Sequence, residues 1–177
     1  MQPTESAVIV PFPSLDPLVG EYRQRMDRAA AWGVPAHVTV VYPFVPPPVG
    51  ADTLELLAAA LTDVSAFECE FARVEWFGDD VVWLAPEPDR PFRDMTAAVW
   101  RAFPDHPPYG GQWGDSIPHL TVGHTDPAGM RAAADELPPH LPVHAPVDRV
   151  WVLEGTDAPG SWGMVAELSL AAPRPAG

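Results

Sequence analysis

Two short segments share one arrangement of chemically active residues: His37-Val38-Thr39-Val40 and His119-Leu120-Thr121-Val122. A neutral imidazole can accept a proton from an attacking hydroxyl or water, and an imidazolium can donate one to a leaving oxygen. Threonine hydroxyls can donate hydrogen bonds to phosphoryl oxygens whose charge grows in a transition state. Two His and two Thr of this kind favour acid–base chemistry on a phosphate ester.

The repetition of the motif makes an accidental match a poor explanation. With six His and eight Thr in the chain, about 0.3 His-x-Thr triplets are expected by chance, so a single motif is weak evidence. One motif alone could be an amphipathic strand whose His and Thr face solvent. Two motifs 82 residues apart, each interleaved with apolar residues, favour a shared site.

Both motifs are expected to lie on strands, because β-branched and apolar residues surround them. Side chains alternate between the faces of a strand, so the His and Thr of each motif share one face and the intervening apolar residues share the other. On this pattern Gly123 shares the face of His119, where it would let a ligand approach the backbone. Tyr42 and Phe44 are predicted to pack in the core, and His124 to point away from His119.

Around the motifs, short strands alternate with amphipathic helices. The predicted strands span residues 7–12, 36–44, 67–77, 81–85, 117–124, 148–153 and 163–170. The predicted helices span residues 15–32, 52–64, 92–103 and 127–137, with Ser14 and Asp126 as caps and Gly33 as a stop. A strand, a helix and a His-x-Thr strand occur in this order twice, which suggests two equivalent lobes. The expected fold is α+β, with antiparallel-rich sheets and helices on their outer faces.

Composition restricts the substrate. Apolar residues make up 47% of the 177 residues, enough for a sizeable core, and the net charge is −14, with Arg as the only cation type. Affinity for long nucleic acid comes largely from neutralising phosphates, so an acidic surface excludes duplex DNA and long RNA as favoured partners. A small nucleotide or short RNA drawn into a local pocket fits this balance better.

No cofactor or metal is expected. Cys69 is alone, so there is neither a disulfide framework nor a Cys-based metal site. No predicted helix carries a His-x-x-x-His pattern, and no carboxylates are clustered at ligand spacing. It also contains no signal-peptide pattern and no run of 18 apolar residues, so a cytoplasmic, monomeric protein without a membrane contact is expected, with a loose tail at residues 173–177.

The two motifs resemble the paired signatures of the 2H phosphoesterase superfamily, which includes 2′-5′ RNA ligase-like proteins and cyclic nucleotide phosphodiesterases. Each signature is an apolar residue, His, an apolar residue, Thr or Ser, and a further apolar residue, as found here at residues 36–40 and 118–122. The resemblance implies one bilobal domain over residues 1–177, with the motif strands facing each other across a central cleft. It also implies metal-independent cleavage or ligation at 2′,3′-cyclic or 2′-5′ phosphates.

The resemblance further implies a role for each motif residue. His37 and His119 become the acid–base pair, and Thr39 and Thr121 the phosphate-binding residues. By analogy, His119 is the base that activates water and His37 is the acid for the leaving oxygen. RNA ligase-like members often carry Arg shortly after the second motif, whereas His124 stands there in this chain. That departure argues against ligation of tRNA fragments and for small nucleotides.

Other residues are weaker candidates for contact with substrate. Trp113, in the loop before the second motif, could stack on a base; Trp76 and Trp83 could do so only if they face the cleft. Arg73 and Arg131 are candidates for a phosphate contact. Two other functions stay open, a nucleotide-binding module without turnover and an RNA 2′-5′ ligase, besides an interaction scaffold whose His/Thr face is covered by protein.

Overall fold

The computed structural model describes residues 2–112 and 116–173, and in this part of the chain eight strands form two four-stranded antiparallel sheets. The spatial order in the first sheet is β2 (His37–Val41), β1 (Glu5–Pro11), β7 (Arg149–Gly155) and β8 (Gly163–Ser169). The order in the second sheet is β5 (Leu120–Gly123), β4 (Val81–Glu87), β3 (Phe67–Phe77) and β6 (Val143–Val147). The two motif strands, β2 and β5, are therefore both edge strands.

The helices are α1 (Asp16–Met26), α2 (Arg28–Trp32), α3 (Ala51–Ala60), α4 (Arg90–Ala102) and α5 (Pro127–Glu136). Two antiparallel sheets combined with helices confirm the predicted α+β class. Asp126 caps α5 as predicted, its carboxylate accepting from the Ala128 N–H at 3.2 Å. Among the helices of the described residues, none has the length and apolarity required to cross a membrane.

The predicted helix over residues 15–32 is in fact two helices, which is a correction. Asp27 adopts an extended conformation between α1 and α2, and its carboxylate caps α2 by accepting from the Ala29 N–H at 3.0 Å. Gly33 ends α2 in the left-handed conformation, as predicted. Ser14 makes no side-chain cap, because it lies in a short 3-10 turn before α1.

Strand β6 was missed by the sequence analysis. It contains Pro146, which removes a backbone donor and so argues against a central strand. The strand lies at the edge of its sheet and pairs only with β3, where a proline is tolerated.

Each motif strand packs against the helix that precedes the other motif strand. Helix α1, which precedes β2, contacts β5, and helix α4, which precedes β5, contacts β2. The Met26 carbonyl at the end of α1 accepts from the His124 N–H at 2.8 Å and from the Thr125 hydroxyl at 3.0 Å. In return, the Thr96 hydroxyl of α4 donates to the Val40 carbonyl of β2 at 2.8 Å. This exchange ties the two motif strands together.

A β-bulge follows the Thr of each motif. In β2 the pairing with β1 skips Val40, and in β5 the pairing with β4 skips Val122. A bulge places one extra residue on its strand and interrupts the alternation of side chains. Both motif strands therefore turn two consecutive residues toward the core directly after the Thr.

The bulges overturn two of the predicted orientations. Gly123 faces α1 instead of the side of His119, and a Cβ there would lie 2.7 Å from the Cβ of Met26. Tyr42 lies on the same side of β2 as Thr39, in the wall of the cavity described below, and not in the main core. Phe44 is buried in that core, as predicted.

We predict that Gly123→Ala destabilises the protein by roughly 1–3 kcal/mol, the usual cost of overpacking a close contact. The added methyl group would force α1 away from β5. Urea unfolding measures the change, with Gly163→Ala as the control, because nothing lies within 4 Å of a Cβ at that position. Equal free energies of unfolding for the two variants would contradict this account of the packing.

Candidate functional site

A cavity of about 180 Å³ opens where the motif edges of the two sheets meet. His37 and Thr39 line it from β2, and His119 and Thr121 line it from the second motif. The structure thus brings together the four residues that the sequence analysis placed in one site.

Both motif imidazoles are tethered in the same way. The Nδ1–H of His37 donates to the Pro35 carbonyl at 2.8 Å, and the Nδ1–H of His119 donates to the Ile117 carbonyl at 2.7 Å. In each case the acceptor lies two residues before the His. A carbonyl partner fixes the proton of a neutral imidazole on Nδ1 and leaves Nε2 as the basic nitrogen.

The surroundings of both imidazoles favour the neutral form. Burial and, to a smaller extent, the nearby Arg23 guanidinium lower the pKa of His37 to about 4, although the Pro35 carbonyl and Asp27 act in the opposite direction. Burial also lowers the pKa of His119 below its ordinary value, against the Ile117 carbonyl and Asp27. At neutral pH the free protein therefore presents two uncharged imidazoles.

A buried ion pair lies close enough to influence these imidazoles. Arg23 and Asp27 are 2% and 4% exposed, and the guanidinium donates two hydrogen bonds to one carboxylate oxygen at 2.9 and 3.0 Å. The other carboxylate oxygen lies 3.7 Å from Nδ1 of His124. His124 thus contacts this pair and is absent from the lining of the cavity. This ion pair was not predicted, because its one signal in the sequence is an Arg and an Asp four residues apart at the end of a helix.

One side of the cavity is formed by two tryptophans, Trp32 and Trp162, which we call the aromatic wall. Their rings stack with centroids 6.5 Å apart and an interplanar angle of 18°. Trp162 lies flat against Gly155, where any Cβ would collide with the indole, and its indole N–H donates to the Thr156 carbonyl at 2.7 Å. The half-buried Trp32 is the member of this wall that is more open to solvent.

Of the tryptophans predicted for base stacking, the two that the structure describes do not line the cavity. Trp113 falls outside the described residues. Trp76 packs against the main core. Trp83 packs against the ring of His119 with centroids 5.8 Å apart, and Phe77 contacts the same ring edge-on at 5.0 Å. Trp83 therefore supports the imidazole and does not appear in the lining of the cavity.

Neither arginine predicted for a phosphate contact lines the cavity. Arg73 is exposed on β3 and pairs with Glu75 at 3.3 Å, and Arg131 is exposed on α5. Among the residues that the structure describes, the lining includes no Arg and no carboxylate. No group of three or more His, Cys, Asp or Glu side chains in the described ranges could hold a metal ion.

A second cavity, of about 250 Å³, lies between the end of β1 and the start of β7. It is lined by Phe12, Asp148, Arg149 and Trp151 among others. Arg149 is already paired with Asp148 at 2.7 Å and with Glu167 at 3.3 Å. This cavity thus lacks the free acid–base groups of the first.

The chain is similar to known proteins in its sequence family and in its fold. A family model for the 2′-5′ RNA ligase superfamily matches residues 11–159. E. coli LigT complexed with NADP+ is 16% identical, with a TM-score of 0.60, covering 97% of this chain and 99% of LigT. E. coli LigT complexed with 3′-AMP is 14% identical, with a TM-score of 0.61, covering 96% and 99%.

A Thermus thermophilus protein is 15% identical, with a TM-score of 0.61, covering 96% of this chain and 100% of its own. At these identities the likeness to solved structures establishes a shared fold. No curated protein matches the chain.

The low pKa of His37 predicts a pH-dependent stability. An unfolded His takes up a proton near pH 6.5, whereas folded His37 does so only near pH 4. The unfolded state therefore binds more protons between these values, and the free energy of unfolding falls as the pH falls. Between pH 7 and pH 5, the free energy of unfolding of His37→Gln should therefore decrease by roughly 1–2 kcal/mol less than that of wild type. Urea unfolding at pH 7 and pH 5 measures this difference in the free energy of unfolding. His140→Gln, which removes an exposed His, is the control. An equal decrease in wild type and in His37→Gln would contradict the prediction.

Proposed function

We infer, since this chain belongs to the 2′-5′ RNA ligase superfamily, that it is a metal-independent phosphodiesterase. Its proposed substrates are small nucleotides or short RNA with 2′,3′-cyclic or 2′-5′-linked phosphates. The observation that carries this proposal is the pair of identically tethered imidazoles, His37 and His119, which share one cavity with Thr39 and Thr121.

The proposed reaction needs one proton acceptor and one proton donor. For a 2′,3′-cyclic phosphate, water forms a bond to phosphorus while one ribose oxygen leaves. The neutral imidazole takes the proton of the water at Nε2, and the imidazolium gives its Nε2 proton to the leaving oxygen. The product is a phosphomonoester, and the two His have exchanged protonation states. The Thr39 and Thr121 hydroxyls donate to the non-bridging oxygens as their charge grows.

We assign His37 as the base and His119 as the acid, the reverse of the assignment by analogy. Burial and the Arg23 guanidinium both oppose a positive charge on His37, so His37 is suited to stay neutral. Burial lowers the pKa of His119 without the help of a nearby cation. A bound phosphate brings negative charge into the cavity and favours a proton on His119.

A nucleoside fits the remaining surface of the cavity. The lining beyond the motif residues is largely apolar, including Ile9, Val34 and Leu153 with the aromatic wall. A base could stack on Trp32 while the phosphate lies between the two imidazoles. LigT has been solved with NADP+, ATP and 3′-AMP, which supports a nucleotide in this cleft. The net charge of −14 supports small substrates over long RNA.

A substrate with a good leaving group separates the two His roles. We predict that His37→Ala and His119→Ala each lower kcat/KM for a 2′,3′-cyclic nucleotide by about 10²–10⁴-fold. A p-nitrophenyl phosphodiester of a nucleoside needs no protonated leaving group, so His119→Ala should recover most activity on it and His37→Ala should not. Steady-state kinetics with a chelator present measures kcat/KM for each variant on both substrates.

The outcomes of this experiment also distinguish the competing functions. His140→Ala, an exposed His outside the cavity, controls for loss of an imidazole. Recovery in His37→Ala alone would restore the assignment by analogy. Nucleotide binding without turnover by wild type would favour a binding module, and joining of 2′-5′ ends without hydrolysis would favour a ligase. Full loss of activity with chelator would contradict a metal-independent reaction.

Trp32→Ala should raise KM for 2′,3′-cyclic AMP by about 5- to 150-fold, because stacking on an aromatic side chain contributes roughly 1–3 kcal/mol per base. Trp32→Phe should retain most of the affinity. Glycerol 1,2-cyclic phosphate has no base, so its KM should not change. Trp100→Ala, an exposed Trp on α4, is the matched control, and an equal rise in KM for both substrates would rule out base stacking.

A further inference from the structure

We propose that Tyr109 supplies a further hydroxyl donor to the substrate phosphate, next to Thr39. The inference rests on the proposed function of the same cavity, but goes beyond the paired motifs, to which Tyr109 does not belong. It concerns a residue in a 3-10 turn (Pro108–Gly111) that precedes the second motif.

The position of the phenol is the first argument. Tyr109 lines the cavity together with both imidazoles and both Thr residues. Its hydroxyl lies within hydrogen-bonding reach of the Thr39 hydroxyl. An oxygen that accepts from Thr39 in the proposed reaction is therefore also within range of the phenol.

The backbone of Tyr109 is the second argument. Its φ and ψ are 52° and 34°, which makes it the one non-Gly residue with positive φ in the described part of the chain. This left-handed conformation is unfavourable for any residue with a Cβ. The Tyr109 N–H donates to the Tyr42 carbonyl at 2.7 Å, which holds the turn against the end of β2. The next two residues, Gly110 and Gly111, also have positive φ, so a Gly at position 109 would form this turn without the cost.

The charge of the cavity is the third argument. A phosphodiester carries one negative charge, and more develops on its non-bridging oxygens during attack. The described lining contains no Arg, so hydroxyl donors and one imidazolium must meet that charge. A phenol is more acidic than an aliphatic hydroxyl and is the stronger hydrogen-bond donor. Burial raises the pKa of Tyr109, so the phenol keeps its proton at neutral pH.

Tyr42 offers a matched comparison. It lines the same cavity, but its hydroxyl donates to the Glu5 carboxylate at 2.8 Å. That hydroxyl is already engaged by a carboxylate, whereas the hydroxyl of Tyr109 lies beside the exchangeable hydroxyl of Thr39. Tyr109→Phe therefore removes a hydroxyl that can donate to a substrate, whereas Tyr42→Phe removes a hydroxyl that already donates to Glu5.

The test is Tyr109→Phe against Tyr42→Phe, with 2′,3′-cyclic AMP as substrate. Tyr109→Phe should lower kcat by about 10²-fold, the effect of losing one donor to a developing oxyanion, with little change in KM. Tyr42→Phe should lower kcat by a few-fold at most. Tyr22→Phe, whose hydroxyl contacts Glu136 outside the cavity, should leave kcat unchanged. Thermal unfolding checks that all three variants are folded.

A double-mutant cycle separates a direct contact from an effect through Thr39. If Tyr109 contacts the phosphate, Tyr109→Phe should still lower kcat in a Thr39→Val background. If it only orients Thr39, the second substitution has no further effect, and the donor proposal is overturned. Equal kcat values for Tyr109→Phe and Tyr42→Phe would overturn it as well.

If the proposed function is wrong, wild type will show no cleavage that depends on His37 and His119. The Tyr109 proposal is then tested by binding, with inorganic phosphate as the ligand in a ³¹P NMR titration. Weaker phosphate binding by Tyr109→Phe than by Tyr42→Phe would support the donor, and equal binding would overturn it independently of catalysis.

Discussion

The reciprocal packing of α1 on β5 and of α4 on β2 is the constraint on which the rest of the structure depends. Each motif strand is an edge strand with a neighbour on one side only, so its position is set by the helix beneath it. Because that helix comes from the other half of the chain, the motif strands cannot separate without exposing the core of both halves. The bulges after Thr39 and Thr121 strengthen this packing, since each turns two consecutive residues toward the opposing helix. The His and Thr side chains that line the cavity are thus positioned by apolar contacts that lie behind them.

The charges of the molecule are arranged around this packed centre. The surface is strongly acidic, the described cavity lining is uncharged, and the ion pair of Arg23 and Asp27 is buried close to the imidazoles. Tethers to carbonyl oxygens hold both imidazole rings at Nδ1 before any ligand arrives. Such an arrangement is preorganised, because little must move when charge enters. In the proposed reaction, the same arrangement couples phosphate binding to protonation, since an incoming anion favours a proton on an imidazole that burial keeps neutral.

The sequence was sufficient for the fold class and for the grouping of His37, Thr39, His119 and Thr121, because strand periodicity and a repeated motif are local signals. It was insufficient where the outcome depends on a partner that is distant in the chain. The bulges are set by the register of β1 and β4, so Tyr42 and Gly123 were placed on the wrong faces. The aromatic wall joins the end of α2 to the segment before β8, and no local pattern relates Trp32 to Trp162. The left-handed conformation of Tyr109 could not be predicted either, because it depends on a hydrogen bond to Tyr42 at the end of β2.

The pairing of β1 with β7 has a consequence for the way the protein is made. Strand β1 starts at Glu5 and β7 ends at Gly155, so the first sheet closes only after most of the chain has left the ribosome. Helix α1 likewise cannot complete its packing until β5 has been synthesised. The hairpin of β3 and β4 is local and can form early, whereas pairings between distant segments are slow. A partly synthesised chain therefore holds its first His-x-Thr strand without the second half of the cleft. The cavity that contains both motifs is therefore among the last features to assemble.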